Sequence, residues 1–476
     1  MRVVFLWAWM ITIGIGMFQM GYCNVMFSSF LDILQPQLGK YGRDIIHDDN
    51  DFNAIMTTAV PAGAAVGAFT GGFLAAMGRR RAIFLVNAIL CLGTGISMIF
   101  HFFSILAGRL IVGYSVGALT VLTPMFISET SPVKLLGPLG TLNQVMATIG
   151  IMVGYFLGFL APLSLKSDDS ENFAIYSTNS WRYVFMVPAI VAIFQCILLL
   201  FIFKYDTPKY YRQVGNEELA LKSEQLIDPD LDGKARSLQP VQESTHKVKI
   251  SQHCSPKYRW ALMVGCLLAF FQQLTGINVV ILYSNKVFTS GSNEENHNDL
   301  IRARTGTVIV GVVNWAATMV AIPLLFKIGR KALMLVGHTG MSLALIALGV
   351  LAIFEIDIAI IAFTMVFIAF FEVGVGSVVF LYLAEIMTEF GISMALAVVW
   401  SLTILVSLIT PRMIEQLHQD GLYFMFAGIN VIGWFFILFC IKETKGKSKI
   451  ELKGLYSKQN NNFEDVEVNI SDEVTA

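Results

Sequence analysis

Three side-chain amides, Gln272, Gln273 and Asn278, stand within seven residues of one another in an apolar stretch long enough to cross a membrane. Amides in hydrocarbon need polar partners, and each offers two donors and an acceptor without a charge. That chemistry suits a neutral ligand bearing many hydroxyls, such as a sugar. It suits equally well the fastening of one helix to its neighbours, at about 0.6 kcal/mol per contact, and these residues alone leave both readings open. On an uninterrupted helix 272 and 273 point in different directions, and 273 and 278 lie about 500° apart, so the amides are expected to fan over a broad sector.

Membrane helices are the elements that must position them. Apolar residues form 55% of the 476, charged residues 14%, and the mean hydropathy is +0.65, a balance that excludes an ordinary soluble globule. Apolar runs of about 20 residues recur, where a soluble core helix ends after about 10–14. The pattern predicts an all-α membrane protein of about twelve transmembrane helices in two groups of six. The first span starts almost at Met1, and Thr12 and Gln19 dilute its apolar character, which favours a retained span over a cleaved signal peptide.

A net charge of −1 points to no nucleic-acid partner, so charge informs through its placement. Arg79, Arg80 and Arg81 follow the second span, Lys327, Arg330 and Lys331 the eighth, and Lys442, Lys445, Lys447 and Lys449 the twelfth. The positive-inside rule puts these clusters and both termini in the cytoplasm, with the acidic run 47–51 and the polar loop 284–304 outside. Lys286, Arg302 and Arg304 weaken the bias locally, but the even number of spans between strongly marked loops overrides them. The six cysteines are scattered without metal-ligand spacing, so no metal or cofactor is expected. The sequon at Asn469 falls in the cytoplasmic tail and should carry no glycan. With no nucleotide loop, and histidines too dispersed for a nucleophile–base pair, an enzyme is not expected.

A polar stretch from Lys204 to about Tyr258 divides the chain, and Glu217 to Gln225 reads as a short surface helix within it. The expected organisation is a six-helix bundle over 1–203, a cytoplasmic loop over 204–258, a second bundle over 259–441 and a disordered cytoplasmic tail over 442–476. The halves repeat. Gly78-Arg79-Arg80 matches Gly329-Arg330-Lys331 at an offset of 251, Glu129 matches Glu385 at 256, and Phe18-Gln19 faintly matches Phe271-Gln272 at 253. Near-constant offsets across many spans signal two pseudo-symmetric bundles with a site between them. Taken alone, a Gly-Arg-Arg loop reads as a topogenic signal. Repeated beside a glutamate at the same end of each bundle, it reads as a gate closed in one conformation and parted in the other.

These residues resemble the sugar porter branch of the major facilitator superfamily over nearly the whole chain. The resemblance rests on Gly78-Arg79-Arg80, Gly108-Arg109-Leu110, the run from Pro124 to Pro132, Gly140 to Gln144, Trp181-Arg182, Gln272 to Asn278, Phe371 to Gly374, Ala384-Glu385 and Glu443 to Gly446. It implies that Gln144, Gln272, Gln273, Asn278 and Asn314 hydrogen-bond a hexose near the midplane, with Phe371 and Glu372 lining the same cavity. It likewise implies a gating set of Arg79, Arg80, Arg109, Glu129, Arg330, Lys331 and Glu385. An intramembrane carboxylate such as Glu372 costs about 2.5–3.5 kcal/mol on insertion scales, which marks it as functional. The expected partners are a small sugar and the lipid bilayer, and the expected location is the plasma membrane, with an endomembrane left open.

The chain departs from this pattern in three places. Cys23 follows Gly21-Tyr22 where many proton symporters of the family have aspartate, and a thiol in an apolar site is a poor proton carrier, so facilitated diffusion without ion coupling is expected. Asp32 lies farther along as a possible substitute. Leu136 and Ile392 replace arginines that follow each gate glutamate, and Ala75 and Phe326 replace acids of the basic loops. The glutamates must then rely on Arg79, Arg80, Arg330 and Lys331, with Lys134 as a stand-in, and the gate is expected to be held less firmly, favouring an inward-open rest state. Phe380, Thr403 and Ile404 alter the lining of the tenth and eleventh spans, which bears on which sugar fits rather than on the sugar class. A proton-coupled sugar or polyol symporter and a nontransporting sugar sensor on the same scaffold are the alternatives.

Overall fold

The computed structural model describes residues 2–30, 34, 49–132, 135–160, 170–227, 259–281, 297–354, 356–387, 389–447 and 449–456. Asp32, Lys134, most of the polar loop at 284–304, the central loop beyond Ile227 and the tail beyond Tyr456 lie outside these residues, and so do the expectations placed on them.

Among the described residues all regular structure is helical. The first six spans are α1 (Arg2–Val25), α2 (Asp49–Ala75), α3 (Arg79–Ser97), α4 (Phe102–Thr130), α5 (Leu136–Leu157) and α6 (Ser170–Phe201). After the polar stretch come α7 (Arg259–Gln273, resuming over 277–281), α8 (His297–Lys327), α9 (Arg330–Ile353) and α10 (357–386). A further helical stretch, Glu389–Cys440, holds two spans, α11 (389–417) and α12 (419–440), because His418 leaves helical geometry with φ 53°. Ten stretches meet the length and apolarity needed to cross a bilayer. Dividing the longest at His418 and adding the interrupted α7 brings the spans to twelve, as the hydropathy pattern predicts.

Local sequence explains the sharp joins. Each basic turn re-enters the next helix through a glycine with positive φ, 112° at Gly78 and 108° at Gly329, a conformation that a side chain resists. Small residues let α2 and α4 approach backbone to backbone: a Cβ at Gly63 or Gly67 would strike α4, and one at Gly113 or Gly117 would strike α2. The surface helix expected after Lys204 is present as Glu217–Ile227, preceded by a shorter one, Pro208–Gln213, whose first turn is capped by Thr207.

Packing follows the two halves, with exchange at the seam between them. Trp9, Phe126 and Phe203 anchor a core in the first half, and Phe367, Phe371, Tyr382 and Phe426 belong to the core of the second. Leu396 and Trp400 of α11 pack with Ala64 and Ala68 of α2, while Ile151 and Tyr155 of α5 join the second core. The Tyr155 hydroxyl also donates across the seam to the Ile281 carbonyl at 2.6 Å.

Candidate functional site

The amides of α7 do not fan out. The helix stops at Gln273, Gly276 takes φ 96°, and the chain resumes a helix at 277, so residues five apart in sequence meet directly. Asn278 Nδ2 donates to Gln273 Oε1 at 2.8 Å. Gln273 Nε2 in turn donates to α11, to the Val399 carbonyl at 3.2 Å and the Thr403 hydroxyl at 3.1 Å. The sequence expectation assumed an unbroken helix, and the break overturns it. Asn430 of α12, which sequence reasoning missed, braces the break by donating to the freed Thr275 carbonyl at 3.0 Å. A lone asparagine in an apolar span was the available signal.

Opposite α7, α10 also departs from regular geometry. Glu372 to Gly376 form a π-helical turn, a device that inserts a residue and re-aims side chains. It turns the buried Glu372 carboxylate to the seam, where Oε2 accepts from Thr318 of α8 at 3.0 Å and from Gln144 of α5 at 3.1 Å. The Gln144 bond joins the first half to the second. Asn314 lies beside the same carboxyl, and Gln272 Oε1 is buried without a hydrogen-bond partner within the protein. Phe371 packs in the second core, its ring within reach of the Gly376 backbone. Of the residues expected at the site, Gln144, Glu372 and Asn314 thus meet beside Thr318, and Gln273 and Asn278 meet beside Thr403, while Gln272 is buried on α7 and Phe371 in the second core. Together they offer amide donors, amide acceptors and one carboxylate, and no net positive group. No set of three or more His, Cys, Asp or Glu side chains converges among the described residues.

The expected gating residues divide among three places. At the basic end Glu129 Oε1 pairs with Arg79 at 2.8 Å and Lys209 at 3.5 Å, and Oε2 accepts from the Thr207 hydroxyl at 2.7 Å. Glu385 pairs with Arg330 at 2.7 Å, and its second oxygen is buried without a partner. Both pairs lie within one half. Arg80 and Lys331 do not reach the glutamates: Arg80 bonds the Leu199 carbonyl at the end of α6 and Lys331 the Leu438 carbonyl at the end of α12, where a cation meets unpaired helix-terminal carbonyls. Arg109 is elsewhere altogether, 20 residues before Glu129 on α4 and so about 30 Å along the helix. There it is buried, donates to the Met56 carbonyl at 3.0 Å and stacks 3.9 Å above the Phe27 ring, with the Cys23 thiol as an electrostatic neighbour. No carboxylate pairs with it among the described residues.

A second pair of acids at the basic end also follows the repeat. Asp206 accepts from the backbone N–H of Arg80 at 3.0 Å, and Glu443 from those of Arg330 and Lys331 at 2.9 and 3.0 Å, each anchoring the first turn of the helix after a Gly-basic-basic turn. Burial raises the Asp206 carboxyl above its ordinary value and outweighs the N–H donors of Thr207 and Arg80. Burial also opposes ionisation of Glu443, but the N–H groups of Lys445, Arg330, Lys331 and Thr444 together hold it below the ordinary glutamate value. The match of Asp206-Thr207 to Glu443-Thr444 was the missed signal. Across the seam at this end, where the resemblance implies charges, α5 and α8 meet through Gly137 and the Phe326 ring, so that a Cβ on the glycine would lie 2.8 Å from it.

The family described as Sugar (and other) transporter matches residues 9–456. Hexose transporter 1 of Plasmodium knowlesi is 30% identical over 449 residues, covering 90% of this chain and 88% of that protein. The glucose transporter GlcP of Staphylococcus epidermidis is 31% identical over 434 residues, covering 86% of this chain and 90% of that one. Among solved structures, the proton:xylose symporter XylE bound to 6-bromo-6-deoxy-D-glucose superposes with a TM-score of 0.79 at 23% identity, over 96% of this chain and 100% of that one. XylE from E. coli in a partially occluded inward open conformation gives 0.77 at 24% identity, over 94% and 100%. With a family match over nearly its whole length and relatives at 30% identity or better over most of it, the chain belongs to the sugar porter family of the major facilitator superfamily.

Proposed function

We propose that this chain carries a monosaccharide, a hexose such as glucose, across the membrane by alternating access and without ion coupling. The observation that carries the reading is the hydrogen bond from Gln144 to Glu372, which joins the two halves beside the Asn314 amide. A sugar hydroxyl can take the place of either partner, donating to the carboxylate and accepting from the amide at no cost in net hydrogen bonds. Gln144, Gln272, Asn278, Asn314 and Glu372 make the contacts, Phe371 shapes the wall, and Gln273 supports Asn278. Bundles over 1–203 and 259–441 rock about this point, joined by 204–258, with the basic end and both termini in the cytoplasm and the protein in the plasma membrane.

Cys23 supports uniport over the proton-coupled alternative. A carboxylate there would give the buried Arg109 a counter-ion whose protonation changes the local charge, and a thiol supplies neither charge nor an accessible proton.

The test is initial-rate uptake of radiolabelled D-glucose, with L-glucose as control, into proteoliposomes holding the purified protein and no pH gradient. Saturable uptake of the D-enantiomer alone supports the facilitator. Uptake that starts only under an inward proton gradient replaces it with the symporter, and silence under both conditions moves the reading to another substrate or to a sensor.

A further inference from the structure

The amide relay at the break in α7 has a direction, and Thr403 sets it together with the Val399 carbonyl. This rests on the transport reading above and concerns how its site is oriented. The Thr403 hydroxyl donates to the Val399 carbonyl one turn earlier on α11, at 2.9 Å, so its lone pairs face Gln273. Gln273 must then present its nitrogen, and both amide hydrogens are spent, on Thr403 at 3.1 Å and on Val399 at 3.2 Å. Its oxygen is thereby turned to Asn278, whose nitrogen donates to it at 2.8 Å. Asn278 keeps its own carbonyl oxygen and one N–H for anything outside the relay. The two ends of a primary amide are nearly alike in shape, so hydrogen-bond partners alone fix which end points where. Here a hydroxyl whose proton is committed to the Val399 carbonyl acts together with that carbonyl, itself only an acceptor, to fix two amides in series.

We propose that Thr403 is a specificity-determining positioning residue: by reinforcing the polarity that the Val399 carbonyl favours in the Thr403–Gln273–Asn278 relay, it makes Asn278 present one set acceptor and one set donor to the sugar. Gln273 acts as the brace between them, its donors unavailable to ligand. An epimer that moves a hydroxyl away from Asn278 strands a fixed polar group, and stranding a buried group discriminates more strongly than adding a contact. With a side chain at 403 that both donates and accepts, such as asparagine, only the Val399 carbonyl still favours one direction, which loosens the relay and lets Asn278 adapt.

The test is initial-rate D-glucose uptake by the reconstituted full-length protein, with D-galactose and D-mannose as competitors, for Thr403→Val, Thr403→Ser, Thr403→Asn and Asn278→Ala. Thr403→Val is expected to raise KM about five- to tenfold with kcat within about twofold, and to narrow discrimination among the hexoses by a similar factor. Thr403→Ser should restore both, and Thr403→Asn should restore KM while leaving discrimination narrowed, which keeps the test alive if the valine variant fails to fold. Adding Thr403→Val to Asn278→Ala should cost no more than about twofold further, because one relay is broken twice. Wild-type KM and discrimination in Thr403→Val, a fall in kcat alone, or full multiplication of the two effects would each overturn the proposal while the wild type still transports. A wild type that takes up none of the hexoses overturns the transport reading itself.

Discussion

At the seam between them the two halves touch through Gln144 and Glu372 at 3.1 Å, whereas at the basic end Glu129 and Glu385 pair with arginines of their own halves at 2.8 and 2.7 Å. A polar contact that crosses the seam is one a ligand can compete for. An ion pair inside one half travels with that half and survives its rocking. On the proposed mechanism the crossing bond is the one a sugar exchanges and the basic-end pairs move with their own bundles, with Gly137 against Phe326 as the apolar contact that would part between them. Ridge-to-ridge apolar contacts of this kind separate without stranding buried charge, unlike a cross-half ion pair drawn from a low-dielectric seam.

The sharpest way to break that comparison is to remove the crossing bond. Glu372→Ala is expected to lower D-glucose kcat/KM by more than about tenfold, with Gln144→Ala costing about fivefold, because the first loses an acceptor serving two donors and the second a single donor. Uptake rates at matched protein amounts measure both. Near-wild-type rates in Glu372→Ala would make the crossing bond incidental.

The two basic-end glutamates sharpen the contrast further, because they are not equally supported. Glu129 keeps Thr207 and Lys209 if Arg79 is lost, but Glu385 has Arg330 as its one ion pair among the described residues. Arg330→Ala should therefore destabilise the detergent-solubilised protein more than Arg79→Ala, by up to about 3 kcal/mol for a carboxylate left buried and unpaired. Thermal unfolding of the two variants ranks them, and equal losses would mean that the neighbours of Glu129 do not share its charge.

The smallest effect concerns pH. The Glu443 carboxyl sits below its ordinary value, so its anchoring of α9 is fully present above the ordinary glutamate range and fades as pH falls through the lower folded value. Glu443→Gln should lower the melting temperature at neutral pH and flatten its decline in acid, whereas Asp206→Asn, at a carboxyl that burial already raises, should change the neutral value less. Parallel melting curves against pH for both variants check the ranking.

Much of this was legible in the sequence. Repeated Gly-Arg-Arg and Gly-Arg-Lys turns and paired glutamates marked the two bundles, and run length marked the spans, because hydropathy and charge act locally along the chain. The break in α7 was not legible. Gln273 and Asn278 read as divergent on a continuous helix, and the fact that Gly276 takes a positive φ here depends on Phe426 and Asn430 packing around it from α12. The division of the basic residues was hidden for a related reason. Arg79 and Arg80 are neighbours of one type, and it is the closing position of α6 that sends one to Glu129 and the other to the Leu199 carbonyl. Arg109 is grouped with the gate by the family resemblance alone, which takes no account of its position 20 residues before Glu129, about 30 Å along α4.

The measurement that bears most directly on the exchangeable crossing bond is a D-glucose binding titration on the purified wild type, Gln144→Ala, Glu372→Gln and the double variant. Each single change should weaken binding several-fold, and the double variant should be no more than about twofold weaker than the worse single one, since both remove one shared contact region. Binding unchanged in all three, or losses that multiply in full, would contradict a sugar that takes its place between Gln144 and Glu372.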